Sequence, residues 1–383
     1  MGNCILKTDD CDTTICLNPH QFDFHYPIGR SSFSKVWKVT QKNSKQVLAL
    51  KEILKSRVVA QRHVNSTLNE KEMLSILRHP FMTNMHHAFQ NHSHLYLTMD
   101  FKHGGDLRYQ LLKHKFVEEE AKFIISCVII GLEYVHSKQI IHRDLKPENL
   151  LFDEKGYAYL SDFGEAKIWA QENSNDVSGT PGYMAPEVLC QQNHSYPADW
   201  FAVGVILHEI ITGSRPFPGK NLKEVKEKIL ESQVQLNVDT LSTSWSKACE
   251  DFVNQLIQTN PQNRLGFRGV DEIKNHPWLK DVEWDKVLKK EANPRFVPKR
   301  GNNFNREYVS KDWSDGIKPK CDFKQEMFAG YFYVEMPHSQ NVDNSQSTNM
   351  RNKSSFVQPH IQSGSSSNQR ARGKSSVRVD KNI

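Results

Sequence analysis

Apolar and polar residues alternate over residues 22–39 on either side of Gly29, a period of two that predicts two strands joined by a loop. Residues 47–53 (VLALKEI), 95–101 (LYLTMDF) and 157–160 (YAYL) are short apolar runs that predict further strands. Helical patterning appears at 67–74 (TLNEKEML), where Leu68, Leu74 and Ile76 are available for burial, and over 116–136. The longest apolar runs, 123–132 and 201–211, fall short of the roughly 18 residues that span a bilayer, so they predict buried helices of a larger, helical part. From His338 onward the chain is rich in Ser, Asn and Gln and poor in apolar residues. It is expected to stay disordered, because it cannot bury enough surface to offset the ordering entropy.

Composition narrows this picture only slightly. A chain of 383 residues with 38% hydrophobic residues can bury a substantial core. Seven cysteines stand without a C-x-x-C pair, and no secretory signal is visible, so a cytoplasmic location is expected and structural zinc and disulfides are not. The net charge is +6, but the stretch from His338 holds seven Lys/Arg against two Asp, or +5 of that total. The remainder is nearly neutral, which argues against a nucleic-acid-binding core.

Candidate chemistry concentrates in residues 140–151, reading IIHRDLKPENLL. Asp144 offers a carboxylate that can take a proton from an attacking hydroxyl. Lys146 carries a charge that can neutralise a phosphoryl group in transfer. Asn149 offers a neutral carbonyl oxygen suited to a hard cation. A buried structural aspartate or a solvated charge run would explain none of the partner motifs that follow in order: Asp162-Phe163-Gly164, GTPGYMAPE (179–187), and Asp199 in PADWFAVG.

With Lys51 in LALK, this set resembles the eukaryotic protein kinases, and Lys146 favours the serine/threonine type. NPRFVPK (293–299) and FAGYFYV (328–334) resemble the C-terminal extension of the AGC group, the kinases related to protein kinases A, B and C. The resemblance implies an α+β, bilobal fold. Its divisions would be a leader (1–21), a kinase domain (22–279, lobes 22–101 and 102–279), an AGC-type extension (280–337) and the basic tail (338–383). It implies ATP and Mg²⁺ as cofactors, with Asp144 as base or orienter, Lys146 and Lys51 on the phosphates, Glu70 holding Lys51, and Asn149 and Asp162 on the metal. The nucleotide would be covered by Ile28, Gly29, Arg30, Ser31, Ser32, Phe33, Ser34, Lys35 and Val36. Here Ser31 and Ser34 stand where the family has glycine. Ala49, the gatekeeper Met99, Asp100, Lys102, Asp106 and Glu148 would complete the site.

Regulatory and structural roles are implied in the same way. Asp176 stands at the usual phosphorylated threonine and would pair with Arg143 and Lys167, giving basal activity without phosphorylation. Phe328 and Tyr331 would fill a groove beside the Glu70 helix, and Phe332 occupies the phosphorylatable position. Glu187 would pair with Arg264, and Asp199 would hold the catalytic loop. Asp106, Glu148 and Glu209 match positions that read basic residues upstream of the phosphoacceptor, so protein substrates with such residues are expected, acted on by a monomer. Gly2 and Cys4 begin like an acylation signal that would give membrane contact, but Leu6 departs from its Ser/Thr, and an unmodified, disordered leader is the favoured reading. Two rivals stand beside this reading. One is a pseudokinase, suggested by Ser31, Ser34 and the polar Glu165 after the D-F-G glycine. The other is an acyl-anchored scaffold.

Overall fold

The computed structural model describes residues 5–8, 11–219, 221–231, 233–241, 244–301, 303–304 and 323–335. All of these fall in the first of the two units into which the chain divides, Met1–Met336 and Pro337–Ile383. Gly2, Cys4 and the basic tail lie outside the described residues.

The amino-terminal part is a six-stranded antiparallel sheet. Its order is Tyr333–Val334, Met85–Gln90, His94–Asp100, Val47–Leu54, Ser34–Gln41 and Phe22–Arg30. Strand alternation sorts VLALKEIL between two environments. Leu48 and Leu50 enter a small core with Leu17, Phe22, Val39, Phe89 and Tyr96. Ala49 and Lys51 face the other way, toward the helical lobe. One helix, Val64–Ile76, packs against this sheet and buries Thr67, Glu70, Met73 and Leu74 along one stripe. Ile76, expected in the core, is exposed instead. Two residues beyond Leu74, it is turned about 200° around the helix from Leu74 and lies outside the arc that holds the buried residues.

The larger lobe is built on Glu118–Ser137, Pro197–Thr212 and Lys247–Leu256. Three glutamates open the first of these helices, where carboxylates favour the positive end of the helix dipole. Pro197–Thr212 buries every residue but its last, as a helix apolar on all sides must. No helix among the described residues is long and apolar enough to cross a membrane.

One expectation fails at the start of the chain. The leader carries an antiparallel hairpin, Ile5–Thr8 with Cys11–Cys16, and is not plain coil. The β-branched run Thr13-Thr14-Ile15 has strand propensity.

Candidate active site

A cleft of about 670 Å³ lies between sheet and helices. Sheet register builds its upper wall: Lys38, Ala49 and Met99 stand opposite one another across three strands, with Val36, Lys51 and Leu97 in the next row. Ile28, Gly29, Arg30, Ser31, Phe33 and Ser34 close the loop side, and Met99, Asp100 and Lys102 the side where the lobes join. Asp106, Asp144, Glu148, Asn149 and Asp162 form the floor.

Ser32 and Lys35 do not line the cleft, which corrects their place among the nucleotide-binding candidates. The Ser32 hydroxyl donates to Gln61 Oε1 at 2.7 Å, and the Lys35 ammonium lies 4.7 Å from the Trp37 ring centroid. The pleat sends Lys35 to the face opposite Ser34 and Val36. The two serines at glycine positions bond each other, Oγ to Oγ at 2.7 Å, and Ser34 N donates to Ser31 Oγ at 3.0 Å. Their hydroxyls thus tie the loop to itself.

Lys51 Nζ donates to both carboxylate oxygens of Glu70 at 2.7 Å. Burial works against the Lys51 charge, but Glu70 and Asp162 outweigh it and hold the ammonium above its ordinary pKa. The helix bearing Glu70 also reaches the segment after Asp162, because Asn69 Nδ2 donates to the carbonyls of Gly164 (3.1 Å) and Ala166 (2.7 Å). The position of one helix is therefore coupled to both charged ends of the site.

Below the cleft, polar groups converge on Asp144. Lys146 Nζ donates to its Oδ2 at 2.6 Å and Thr180 Oγ1 to its Oδ1 at 2.7 Å. Asn149 Nδ2 lies 2.8 Å from the Asp144 carbonyl oxygen and 3.2 Å from Oδ2. Burial pushes the Asp162 carboxyl toward neutrality, but Lys51 and Lys146 overcome this and keep it below the usual carboxylate range. Arg143 and Asp162 both have positive φ, +66° and +60°. Such backbone costs about 1–3 kcal/mol and persists only where its surroundings over-determine it. Asp199 supplies that constraint at Arg143, accepting from the backbone N–H groups of His142 and Arg143 at 2.9 Å and pairing with His136 at 2.8 Å. Beside Asp162, Phe163 is fully buried with its ring 4.7 Å from that of His142.

The segment that follows is tied down at its middle and at its end. Asp176 pairs with Lys167 and lies 3.6 Å from Arg143 Nη1. Glu187 accepts two bonds from Arg264, 2.7 and 2.9 Å, with both side chains buried. Gly179 (φ +117°) passes so close to the Arg143 carbonyl that a Cβ there would collide with it.

The protein kinase domain model matches residues 22–279. The chain belongs to the protein kinase family. A probable serine/threonine-protein kinase of Dictyostelium discoideum is 36% identical over 332 residues, covering 84% of this chain and 72% of the relative. Ribosomal protein S6 kinase 2 alpha of Gallus gallus is 37% identical over 332 residues, and protein kinase 2 of Dictyostelium discoideum is 35% identical over 280. The aligned part is 43% and 57% of those two proteins. With its motifs, these relatives place the kinase among eukaryotic serine/threonine kinases of the AGC group.

Kinases of this family work with ATP and Mg²⁺, and the donor set fits both. Among the described residues no cluster of three or more His, Cys, Asp or Glu makes an all-protein metal cage. Mg²⁺ does not ask for one, since it takes one or two protein ligands with water and phosphate oxygens, as Asp162 and Asn149 allow.

Sequence reasoning missed part of the cleft. Gly301, Asn303 and Phe304 also line it, and the Phe304 ring stacks on Tyr26 at 5.6 Å. Gly105 (φ +70°) admits this segment, because a Cβ there would strike the Asn303 carbonyl. The only hint in the sequence was one aromatic in a polar run, GNNFN.

Farther on, the extension docks on the sheet and the Glu70 helix. Phe328 and Tyr331 are fully buried, Phe332 packs on the small core, and Tyr333–Val334 joins the sheet edge opposite Ala88 and His87. Lys55, itself buried, donates to Gln90 Oε1, the Asn91 carbonyl and Gln325 Oε1 at 2.7–2.9 Å, with its ammonium 5.2 Å from the Phe328 ring centroid.

His86 closes this contact between two carboxylates, Asp100 Oδ1 at 2.8 Å and Glu335 Oε2 at 2.6 Å. Burial disfavours its charge, but Asp100 and Glu335 outweigh burial and raise its pKa above 6.5. A raised histidine contributes stability that is complete below about pH 6.5 and is lost as pH rises through its folded value. Thermal stability is therefore expected to fall through that window. His86→Gln should flatten the slope; an unchanged slope in scanning fluorimetry would show that the charge on His86 contributes nothing.

Proposed function

We propose that this kinase transfers the γ-phosphoryl group of MgATP to serine and threonine hydroxyls of proteins, with basic residues upstream of the target. The observation that carries the reading is the convergence on Asp144. A carboxylate that accepts from the Thr180 hydroxyl at 2.7 Å can accept equally from a substrate hydroxyl, and Lys146 stands beside it to meet phosphoryl charge. Lys51, fixed by Glu70, would hold the α/β-phosphates, and Asp162 and Asn149 would hold Mg²⁺, which neutralises phosphate charge when bound. Phosphoryl transfer asks for positioning and electrostatics more than covalent chemistry, and these five residues supply both.

Against the pseudokinase alternative, Lys51, Glu70, Asp144, Asn149 and Asp162 are all present and line one cleft. A degenerate peptide library incubated with MgATP tests the proposal. Phosphoserine and phosphothreonine are the expected products; labelling of tyrosine alone, or of nothing, contradicts it. Upstream basic recognition rests on Asp106, which lines the cleft. Burial, with Glu148 adding to it, pushes this carboxyl up to about 6, so it is mostly ionised at neutral pH. The cysteines whose side chains are described, Cys127, Cys190 and Cys249, are free thiols, which supports a cytoplasmic kinase.

We also infer that Asp176 stands in for an activation-segment phosphate. One carboxylate on Arg143 and Lys167 is a partial substitute, with less charge and fewer acceptors. Phosphatase-treated enzyme should keep its activity, and Asp176→Ala should lose roughly tenfold in kcat. Treated wild type falling to the level of the variant would contradict this.

A further inference from the structure

The three acids expected to read basic residues upstream of the phosphoacceptor are not equivalent. Glu209 is buried, and Arg108 already meets it in a two-pronged contact, Nη1 to Oε1 at 2.8 Å and Nη2 to Oε2 at 3.2 Å. The same guanidinium donates through Nε to Glu148 Oε1 at 2.8 Å and through Nη2 to the Tyr183 hydroxyl at 2.5 Å. Tyr183 in turn donates to Glu209 Oε2 at 2.6 Å, and the Arg215 guanidinium lies 5.8 Å from the Tyr183 ring centroid. One guanidinium, that of Arg108, thus bridges both carboxylates, and a second, Arg215, lies against the tyrosine between them.

The location of this cluster gives the bridging a consequence. Glu148 lies four residues after Asp144, and Tyr183 three residues after Thr180, which bonds Asp144. A peptide whose hydroxyl reaches Asp144 advances about 3.4 Å per residue when extended, so its neighbours pass within a few residues of this cluster. Arg108 has the planar fork that matches a carboxylate in two bonds, the geometry a substrate arginine would use.

We propose that Arg108 is a specificity-determining residue: it fills, from within the chain, the subsite that Glu148 and Glu209 would otherwise offer to a substrate arginine. The kinase then gains nothing from a basic residue at that position, and upstream basic selection is confined to what Asp106 reads. This deepens the proposed serine/threonine kinase activity and rests on it.

The test compares kcat/KM for peptides carrying Arg or Ala at each upstream position, in the wild type, Arg108→Ala, Arg108→Lys and Arg108→Ala/Glu209→Gln. In the wild type, Arg should be favoured by less than about threefold at the position facing the cluster, and Arg108→Ala should raise that ratio by about tenfold or more. Arg108→Lys, which keeps the charge but not the fork, should show a smaller gain than Arg108→Ala, and adding Glu209→Gln to Arg108→Ala should reduce the gain. Loss of a fold alone would not move an Arg/Ala ratio at one position. Should Arg108→Ala fail to fold, Arg108→Met keeps the side-chain length without the charge and should show the same gain. Strong selection for Arg at two upstream positions in the wild type, or an unaltered ratio in the uncharged variants, overturns the assignment while leaving the kinase activity standing. No phosphorylation of any peptide overturns both.

Discussion

Asp144→Asn is expected to lower kcat by roughly a thousandfold while leaving nucleotide affinity within about twofold. The substitution keeps size and shape but removes the charge on which Lys146, Thr180 and Asn149 converge. The amide cannot take a proton from a substrate hydroxyl, and its neutral oxygen no longer balances Lys146 at 2.6 Å. Nucleotide contacts fall to other residues, Lys51, Asp162 and Asn149 among them, so binding should survive. Steady-state kinetics and titration of nucleotide into both proteins separate the two effects. A variant that keeps more than a tenth of the wild-type turnover would remove Asp144 from the centre of the account.

Ending the chain at Met327 should cost more than about tenfold in turnover, and the double variant Phe328→Ala/Tyr331→Ala nearly as much. Each ring is fully buried, and burial of a large apolar side chain contributes about 1.5–3 kcal/mol. The groove they leave would also open one side of Lys55, a buried cation whose ammonium lies 5.2 Å from the Phe328 ring centroid. Restoring its hydration requires the surrounding elements to loosen, and the Val64–Ile76 helix is among them, since Lys71 Nζ bonds the Gly330 carbonyl at 3.3 Å. That helix carries Glu70, so the fraction of molecules with Lys51 held toward the cleft falls. A synthetic peptide spanning residues 323–335, added to the truncated kinase, should recover part of the activity. Unchanged turnover after truncation would mean that the aromatic contacts are packing without a regulatory consequence.

Much of the catalytic centre was legible in the chain because its polar groups are local. Asp144, Lys146 and Asn149 are spaced by the turn they build, and Lys51 stands with Glu52 as the two charges of an otherwise apolar strand. The helical lobe was legible for a similar reason, since 201–211 has too little polarity to be anything but interior. What escaped notice depends on contacts between distant parts of the chain. Phe304 covers Tyr26 from nearly three hundred residues away, and Glu335 reaches His86 across a similar span. Arg108 reads in sequence as one more surface charge in a short helix, and its partners lie 40, 75 and 101 residues downstream. Ser32 and Lys35 were misassigned because a loop pattern names a stretch, whereas the pleat decides which of its side chains face the cleft.

Transfer of labelled phosphate from [γ-³²P]ATP to a serine/threonine peptide, with Mg²⁺ in excess, tests the central claim most directly when the wild type is run beside Asp162→Ala. Label on the peptide with the wild type, and a loss of at least about a hundredfold with the variant, is the predicted result. A folded wild type that transfers no label, or an Asp162→Ala enzyme as fast as its parent, would contradict it.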